Sequence, residues 1–143
     1  MSADAIQTAG EEETVAAGER FARTLMSGAV VLLYGQLGAG KTAFVRGLAI
    51  GLGAAAEEVS SPTFTIIQEY AGRAATLYHV DLYRLEPAEV DDLGLDELVA
   101  GEGIVAIEWA DRWRGRPADA IEVTIEDRGG DRRLIEIRAA SRI

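Results

Sequence analysis

The segment GQLGAGKT, from Gly35 to Thr42, decides how this sequence folds. Its spacing is Gly-x-x-x-x-Gly-Lys-Thr, and it joins the apolar run AVVLLY at 29–34 to a stretch at 41–52 with helical apolar spacing. An apolar run without alternation is typical of a strand covered on both faces of a sheet. The order strand, glycine-rich loop and helix predicts a P-loop, in which backbone N–H groups and the positive end of the helix dipole face phosphate oxygens.

The side chains of this loop have separate expected roles. Lys41 is expected to bridge the outer phosphates and Thr42 to offer its hydroxyl to magnesium. Only one of the 14 basic residues is a lysine, and an ammonium on a flexible stem reaches between phosphates where a planar guanidinium cannot. A glycine-rich turn without a ligand would need neither side chain. We therefore expect the nucleotide to contact Gly35, Gln36, Leu37, Gly38, Ala39, Gly40, Lys41, Thr42 and Ala43.

Two acidic residues stand where strands are expected to end. Asp81 follows the apolar stretch of TLYHVD and Glu108 follows GIVAI, so both are expected at the edge of the sheet where α/β proteins bind ligands. Magnesium prefers a shell of hard oxygens. One acid is expected to hold the metal, directly or through water, and the other to orient the attacking water. The alternative for each is a solvated charge at a strand end.

Three further residues have a functional and a structural interpretation. Thr63 in SSPTF lies where switch-type NTPases place a hydroxyl that senses the outer phosphate, although SSP is also an ordinary turn sequence. His79 shares a strand face with Asp81, but a lone histidine is more often a packing residue. Trp109 is expected either to pack in the core or to cover the nucleotide pocket, and the sequence leaves this open.

The remaining patterns predict a single α/β domain over residues 1–143, with a mixed central sheet and helices on both faces. Thr8 and Glu11 have the spacing of a capping box, which predicts a helix over 9–26. Pro62 predicts a loop over 57–63. The other expected elements are a hairpin from FTIIQEY and ATLYHVDLY, a helix from Glu86-Pro87, a short turn in LDELVA, a central strand in GIVAIEW, and a hairpin from AIEVTIED and RRLIEIRA.

Composition narrows the possible functions. The chain of 143 residues has no apolar run near the roughly 20 residues of a membrane span. The stretch MSADAIQTAGEEET lacks the basic flank and apolar core of a secretory signal, and the chain has no cysteine. These features predict a soluble, cytoplasmic protein without disulfides. A net charge of -10 argues against unaided binding of RNA or DNA, because such binding depends on Lys and Arg neutralising phosphates.

Three rival functions remain to be weighed. A guanine-specific GTPase would need an Asn-Lys-x-Asp motif, and this chain has no asparagine and no lysine besides Lys41. A small-molecule kinase would need an acceptor site and an arginine-bearing lid, for which no long insertion is visible. A nucleotide-dependent adaptor or switch protein with negligible turnover alone is the remaining alternative. Measured turnover, alone and with partners, would separate it from an ATPase.

The segments GQLGAGKTAFVRGL, SPTFTIIQEY, LYHVDLYRL, LGLDEL and IEWADR, in this order and at these separations, resemble the bacterial TsaE family, formerly called YjeE. The resemblance covers about residues 10–140. It implies an Mg-dependent ATPase, weak alone, that acts with the TsaB and TsaD proteins in making the threonylcarbamoyl group on adenosine 37 of tRNAs that read codons beginning with A. Contact with tRNA would then be indirect.

The resemblance also implies roles for single residues, with no departure from the family pattern at the matching positions. The family's phosphate and metal residues, its two site acids, its switch threonine and its tryptophan correspond here to Lys41, Thr42, Asp81, Glu108, Thr63 and Trp109. Contacts to the nucleotide are further implied for Thr14 and for Arg132 or Arg133.

Overall fold

The computed structural model describes residues 3–36, 40–55 and 66–139. Within these ranges seven strands form one sheet. The strands are β1 Ala3–Thr8, β2 Val30–Tyr34, β3 Ile67–Ala71, β4 Thr76–Asp81, β5 Ile104–Glu108, β6 Ile121–Asp127 and β7 Arg133–Arg138. The helices are α1 Glu11–Ala22, α2 Lys41–Gly51, α3 Pro87–Val90 and α4 Leu95–Val99, with a 3-10 turn at Ala110–Arg112.

The strand order is β1-β7-β6-β2-β5-β4-β3. β2 pairs in parallel with both β5 and β6, and β5 pairs in parallel with β4. The outer pairs β3 with β4, β6 with β7, and β7 with β1 are antiparallel. The mixed sheet expected from the sequence is therefore confirmed, and the carboxyl ends of its four parallel strands meet at one edge.

Helices cover both faces of this sheet, as the sequence predicted. On one face, α1 and α2 bury Phe21, Phe44 and Leu48 against β2 and its neighbours. On the other face, α3 and α4 contribute Val90 and Leu95 to a second cluster. Burial on both sides explains why β2 reads as an unbroken apolar run, since Val30 to Leu33 all lie inside.

The contact between α1 and α2 is close enough to require glycine. A Cβ atom added at Gly47 would collide with the carbonyl oxygen of Val15, and one added at Gly18 would collide with the carbonyl oxygen of Phe44. The two helix backbones therefore lie directly against each other. This matters for the site because the amino-terminal ends of both helices border the same cavity.

The prediction for the amino-terminal segment was wrong in its capping box and in the bounds of its helix. The sequence predicted a capping box at Thr8 and a helix over 9–26, whereas Ala3–Thr8 is strand β1 and the helix runs from Glu11 to Ala22. The helix is preceded by Gly10, which makes no side-chain cap, and Glu13 accepts the Ala9 backbone N–H instead. Pairing of β1 with β7 holds Thr8 in the sheet, and such long-range pairing overrides a local capping signal.

The other predicted elements are confirmed within the described residues. β3 with β4 and β6 with β7 form the two expected hairpins. Pro87 opens α3, where Glu86 and Glu89 form a capping box, and Gly94 separates α3 from α4. The predicted loop at 57–63 lies outside the described residues. No helix in the described ranges is long and apolar enough to cross a membrane.

Candidate nucleotide-binding site

A cavity of about 400 Å³ lies beside the carboxyl ends of β4 and β5 and the start of α2. This is the edge of a parallel sheet at which α/β folds bind ligands, because the strand ends and helix amino termini converge there. The lining residues that the structure describes are Glu11, Thr14, Gly40, Lys41, Thr42, Ala43, Asp81, Glu108, Trp109, Asp131 and Arg133.

Lys41 is the first residue of α2 and is only 4% exposed. Its Nζ donates a hydrogen bond of 2.7 Å to the carbonyl oxygen of Gly35 and lies 4.2 Å from the centre of the Trp109 ring. Burial lowers the pKa of Lys41, and the negative charges of Glu108 and Asp81 oppose that shift. The ammonium is thus held at the cavity wall, beside the two predicted acids.

Asp81 and Glu108 lie directly opposite each other, one at the end of β4 and one at the end of β5. Asp81 Oδ1 accepts the Tyr83 backbone N–H at 2.9 Å. Glu108 is 4% exposed, and its Oε2 accepts a hydrogen bond of 2.5 Å from Nε2 of His79. Two carboxylates and one ammonium therefore face the same cavity, which gives the site paired acidic groups around one cation.

Replacing Asp81 with asparagine is expected to raise the melting temperature slightly at neutral pH. Burial raises the pKa of Asp81 above its usual 3.8, so folding favours the protonated carboxyl and the ionised form carries a cost above the folded pKa. The amide oxygen of the introduced asparagine could still accept the Tyr83 N–H. We expect a gain of about 1 kcal/mol or less, since solvent screens a partly buried charge.

The measurement compares melting curves of wild type and Asp81→Asn from about pH 4 to pH 8, the range around a raised aspartate pKa. The cost of the ionised carboxyl disappears as the pH falls through its folded pKa, so the two curves should converge at the acidic end. A difference in stability that is independent of pH would contradict the argument.

The predicted P-loop residues are only partly within the described ranges. Gly40, Thr42 and Ala43 line the cavity. Gly40 has φ of 104°, a left-handed conformation that suits glycine. Gly35 contacts Lys41, and Gln36 directly follows it in an exposed position. The other predicted positions, Leu37, Gly38, Ala39 and Thr63, lie outside the described residues.

Trp109 lies at the cavity wall rather than in the centre of the core. Its φ of 59° is the only positive value among the described residues other than glycine, and such strain costs of order 1–3 kcal/mol and is common at functional sites. Its ring makes an edge-on contact with Tyr83, with centroids 4.9 Å apart. Arg112 lies behind it, 5.8 Å from the ring centre, and donates to the carbonyl oxygen of Leu85 at 3.0 Å.

The opposite wall comes from the two ends of the chain. Thr14 and Arg133 line the cavity, whereas Arg132 is not among its lining residues. The cavity also includes Glu11 and Asp131, neither of which the sequence analysis expected in the site. Their place in the cavity depends on the pairing of β1 with β7, which brings their segments together and which no local motif marks.

The donor set of the cavity suits magnesium and a phosphate group. The hydroxyl of Thr42 and the carboxylates of Asp81 and Glu108 are hard oxygen ligands. Within the described part of the chain, no group of three or more His, Cys, Asp or Glu side chains could hold a metal by itself. A metal ion here would therefore need additional oxygens from water or from a bound phosphate, whose negative charge the ammonium of Lys41 could balance.

Comparisons with known proteins identify the family. The TsaE family model, described as "Threonylcarbamoyl adenosine biosynthesis protein TsaE", matches residues 8–135. The TsaE protein of Bacillus subtilis is 43% identical over 134 residues, which cover 93% of this chain and 84% of that one. The TsaE protein of Nostoc sp. is 47% identical over 121 residues, covering 82% of this chain and 74% of that one. Both are named "tRNA threonylcarbamoyladenosine biosynthesis protein TsaE".

The crystal structure of Bacillus subtilis YdiB has the same fold. It superposes with a TM-score of 0.78 at 35% sequence identity, covering 98% of this chain and 87% of that one. The family match spans most of the chain, from the end of β1 into β7, and so includes every described wall of the cavity. This chain belongs to the TsaE family of threonylcarbamoyl adenosine biosynthesis proteins.

Proposed function

We propose that this chain binds and hydrolyses MgATP as one component of the system that makes threonylcarbamoyladenosine at position 37 of tRNA, acting with the TsaB and TsaD proteins. The observation that supports it most is the convergence of Lys41, Thr42, Asp81 and Glu108 on one cavity at the edge of the sheet. Membership of the TsaE family supports the assignment to this pathway. The side chains of the cavity support the assignment of ATP hydrolysis, because they suit phosphoryl transfer to water.

Each lining residue has a role that follows from its position. The amino-terminal end of α2, with Lys41 at its first turn, would bind the outer phosphates. The carboxylates would orient and accept a proton from the attacking water, and Trp109 would keep bulk water out. Magnesium, held by Thr42 and a carboxylate, would neutralise charge that develops on the phosphate oxygens.

Contact with tRNA is proposed to occur through the partners rather than through this chain. A net charge of -10 repels a polyanion. The described surface also pairs many of its arginines internally, as in Arg114 with Asp91 and Arg23 with Glu19. A cationic surface for RNA would therefore have to come from another protein.

The proposal is tested by measuring ATP hydrolysis by the purified chain alone, with TsaB and TsaD added singly, and with both. We expect slow turnover alone and a clear increase with both partners. Absence of ATP hydrolysis in every mixture, despite tight ATP binding, would instead favour the nucleotide-dependent adaptor. Absence of nucleotide binding would reject both functions.

Partner affinity is predicted to depend on the bound nucleotide. Thr63, which lies outside the described residues, is expected from the sequence to sense the outer phosphate, and ligands shift a conformational equilibrium only by their difference in affinity for the two states. Replacing Thr63 with alanine should therefore reduce the difference in partner affinity between ATP and ADP to about 2-fold or less, against the 5-fold or more that is typical of allosteric coupling.

The measurement is a calorimetric titration with TsaB and TsaD in an ATP analogue, in ADP and without nucleotide. Ser60→Ala is the matched control for a hydroxyl lost from the same segment, and it should keep the nucleotide dependence. A wild-type partner affinity that is indifferent to nucleotide would reject this coupling. Tight binding of tRNA by the isolated chain would reject the indirect route to tRNA.

A further inference from the structure

The interior of the protein contains one histidine, which is hydrogen-bonded to a cavity-lining acid. His79 is the only histidine of the chain and has no exposed surface. Its Nε2 lies 2.5 Å from Oε2 of Glu108, and its Nδ1 has no hydrogen-bond partner among the described residues. The sequence analysis weighed a packing role for this residue, and its contact with Glu108 goes beyond packing.

The sheet register explains why this contact forms. His79 on β4 lies opposite Ala106 on β5, two residue pairs before Asp81 and Glu108 and therefore on the same face of the sheet. Ala106 is small, and the imidazole of His79 reaches Glu108 at the end of β5. The hydrogen bond therefore connects the two strands that carry the two site acids.

This contact restricts the Glu108 side chain. Oε2 is occupied by His79, whereas Oε1 has no hydrogen-bond partner among the described residues, and Glu108 lines the cavity. Because the carboxylate is an acceptor, the imidazole donates from Nε2. A flexible glutamate would otherwise lose conformational freedom on ordering, so an existing hydrogen bond lowers the cost of presenting Oε1 in one orientation.

The Asp81 carboxylate is held differently, because it accepts a hydrogen bond from the backbone N–H of Tyr83 and, in the described ranges, none from another side chain. A backbone donor does not depend on which side chain residue 83 carries. The Glu108 contact depends on the identity of one side chain, and this makes it testable by substitution.

We propose that His79 is a positioning residue, which orients the Glu108 carboxylate for the hydrolytic step without contacting the nucleotide. The inference rests on the proposed ATPase function. His79 is absent from the cavity lining, so its removal should reduce turnover while nucleotide affinity is kept. In metal sites, substituting a residue that hydrogen-bonds to a metal ligand and orients it typically costs about 10–100-fold in activity, and we expect a loss of the same order here.

Stability alone does not account for the pair. A buried histidine with an unpartnered Nδ1 carries a desolvation cost, and a buried pair can be less stable than apolar residues that replace both of its partners. His79→Leu removes one partner only and leaves the buried Glu108 carboxylate without this hydrogen bond, so we expect it to lower the melting temperature. His79→Gln is the conservative companion because its amide can still donate to Glu108, and it keeps the proposal testable if His79→Leu does not fold.

The hydrogen bond itself can be tested without any activity. Because the chain has one histidine, imidazole nitrogen NMR on protein prepared without a histidine tag gives a single spin system. We expect an Nε2-protonated ring whose resonances shift clearly in Glu108→Gln and hardly in the control Asp81→Asn. An Nδ1-protonated ring, or resonances unchanged in Glu108→Gln, would overturn the proposal even if ATP hydrolysis proved absent.

The kinetic test uses the chain assembled with TsaB and TsaD. We expect His79→Leu to lower kcat about 10–100-fold with the affinity for ATP within about 2-fold, and His79→Gln to recover part of the loss. Adding His79→Leu to Glu108→Gln should cause little further loss, because both changes remove the same interaction. Val80→Ala, on the opposite face of β4, controls for destabilisation and should lower the melting temperature while kcat is kept.

Two results separate this inference from the proposed function. Wild-type turnover in His79→Leu, or a loss of ATP affinity equal to its loss of kcat, would overturn the positioning role while the ATPase stands. An assembled wild type without turnover would reject the ATPase, and the NMR comparison would still decide whether His79 orients Glu108.

Discussion

Replacing Lys41 with alanine is expected to lower the affinity for MgATP by about 100-fold or more, because each hydrogen bond to a charged group is worth about 1.5–3 kcal/mol and Lys41 is expected to make at least two with the outer phosphates. Lys41 is the one lysine of the chain, and its ammonium lies inside the cavity, 2.7 Å from the carbonyl oxygen of Gly35. Its loss would remove the ammonium that lies beside Asp81 and Glu108 and that is expected to bind the outer phosphates. Calorimetry with MgATP and MgADP measures the effect.

The fold should survive this substitution. Burial lowers the pKa of Lys41, which means that keeping the ammonium inside already costs free energy, so alanine removes a cost along with a contact. Circular dichroism and melting curves should show a folded protein. If folded Lys41→Ala protein bound the nucleotide with unchanged affinity, the proposal that the nucleotide binds in this cavity would be rejected.

A matched control separates the loss of the site from the loss of one positive charge. Arg23→Ala removes one positive charge from an exposed ion pair with Glu19, outside the cavity lining. Its affinity for MgATP should stay within about 2-fold of wild type, because exposed ion pairs contribute little and distant charges are screened. A similar loss in both variants would point to net charge rather than to Lys41.

The central part of the fold could be predicted from the sequence because its signals are local. The apolar run at β2, the Gly-Lys-Thr spacing and the helical pattern of α2 are contiguous, and each supports the same strand-loop-helix unit. The positions of Asp81 and Glu108 followed from the same reasoning, since each ends an apolar strand and parallel strands end at one edge. Knowledge of the fold class was therefore enough to predict that these two acids lie close together.

The periphery could not be predicted in this way. β1 is short and exposed on most of its residues, and it becomes a strand only because β7, at the far end of the chain, offers a partner. The contributions of Glu11 and Asp131 to the cavity depend on that pairing. The contact between His79 and Glu108 likewise depends on a register, with Ala106 opposite His79, that sequence spacing does not give.

Replacing Glu108 with glutamine is expected to reduce ATP hydrolysis in the assembled complex by about 100-fold or more, since general-base assistance contributes about 100-fold to 10,000-fold. Nucleotide affinity should stay within about 3-fold of wild type, because glutamine has the same shape and the groups that face the phosphates are unchanged. Glu102→Gln, an exposed acid outside the cavity lining, is the matched control and should keep wild-type turnover. Single-turnover hydrolysis and calorimetry measure the two quantities separately.

Comparison of Glu108→Gln with Asp81→Asn then distinguishes the roles of the two acids. Glu108 is buried and accepts a hydrogen bond from His79, whereas Asp81 is more exposed and, among the described residues, accepts one from the Tyr83 backbone N–H. The more fixed Glu108 carboxylate therefore suits the orientation of water, and the Asp81 carboxylate suits a metal with its own waters. If so, Asp81→Asn should raise the magnesium concentration needed for half-maximal turnover, and Glu108→Gln should lower turnover at every magnesium concentration. The reverse pattern would exchange the two roles. Wild-type turnover in both variants would show that neither acid takes part in hydrolysis and that both are only charges at strand ends.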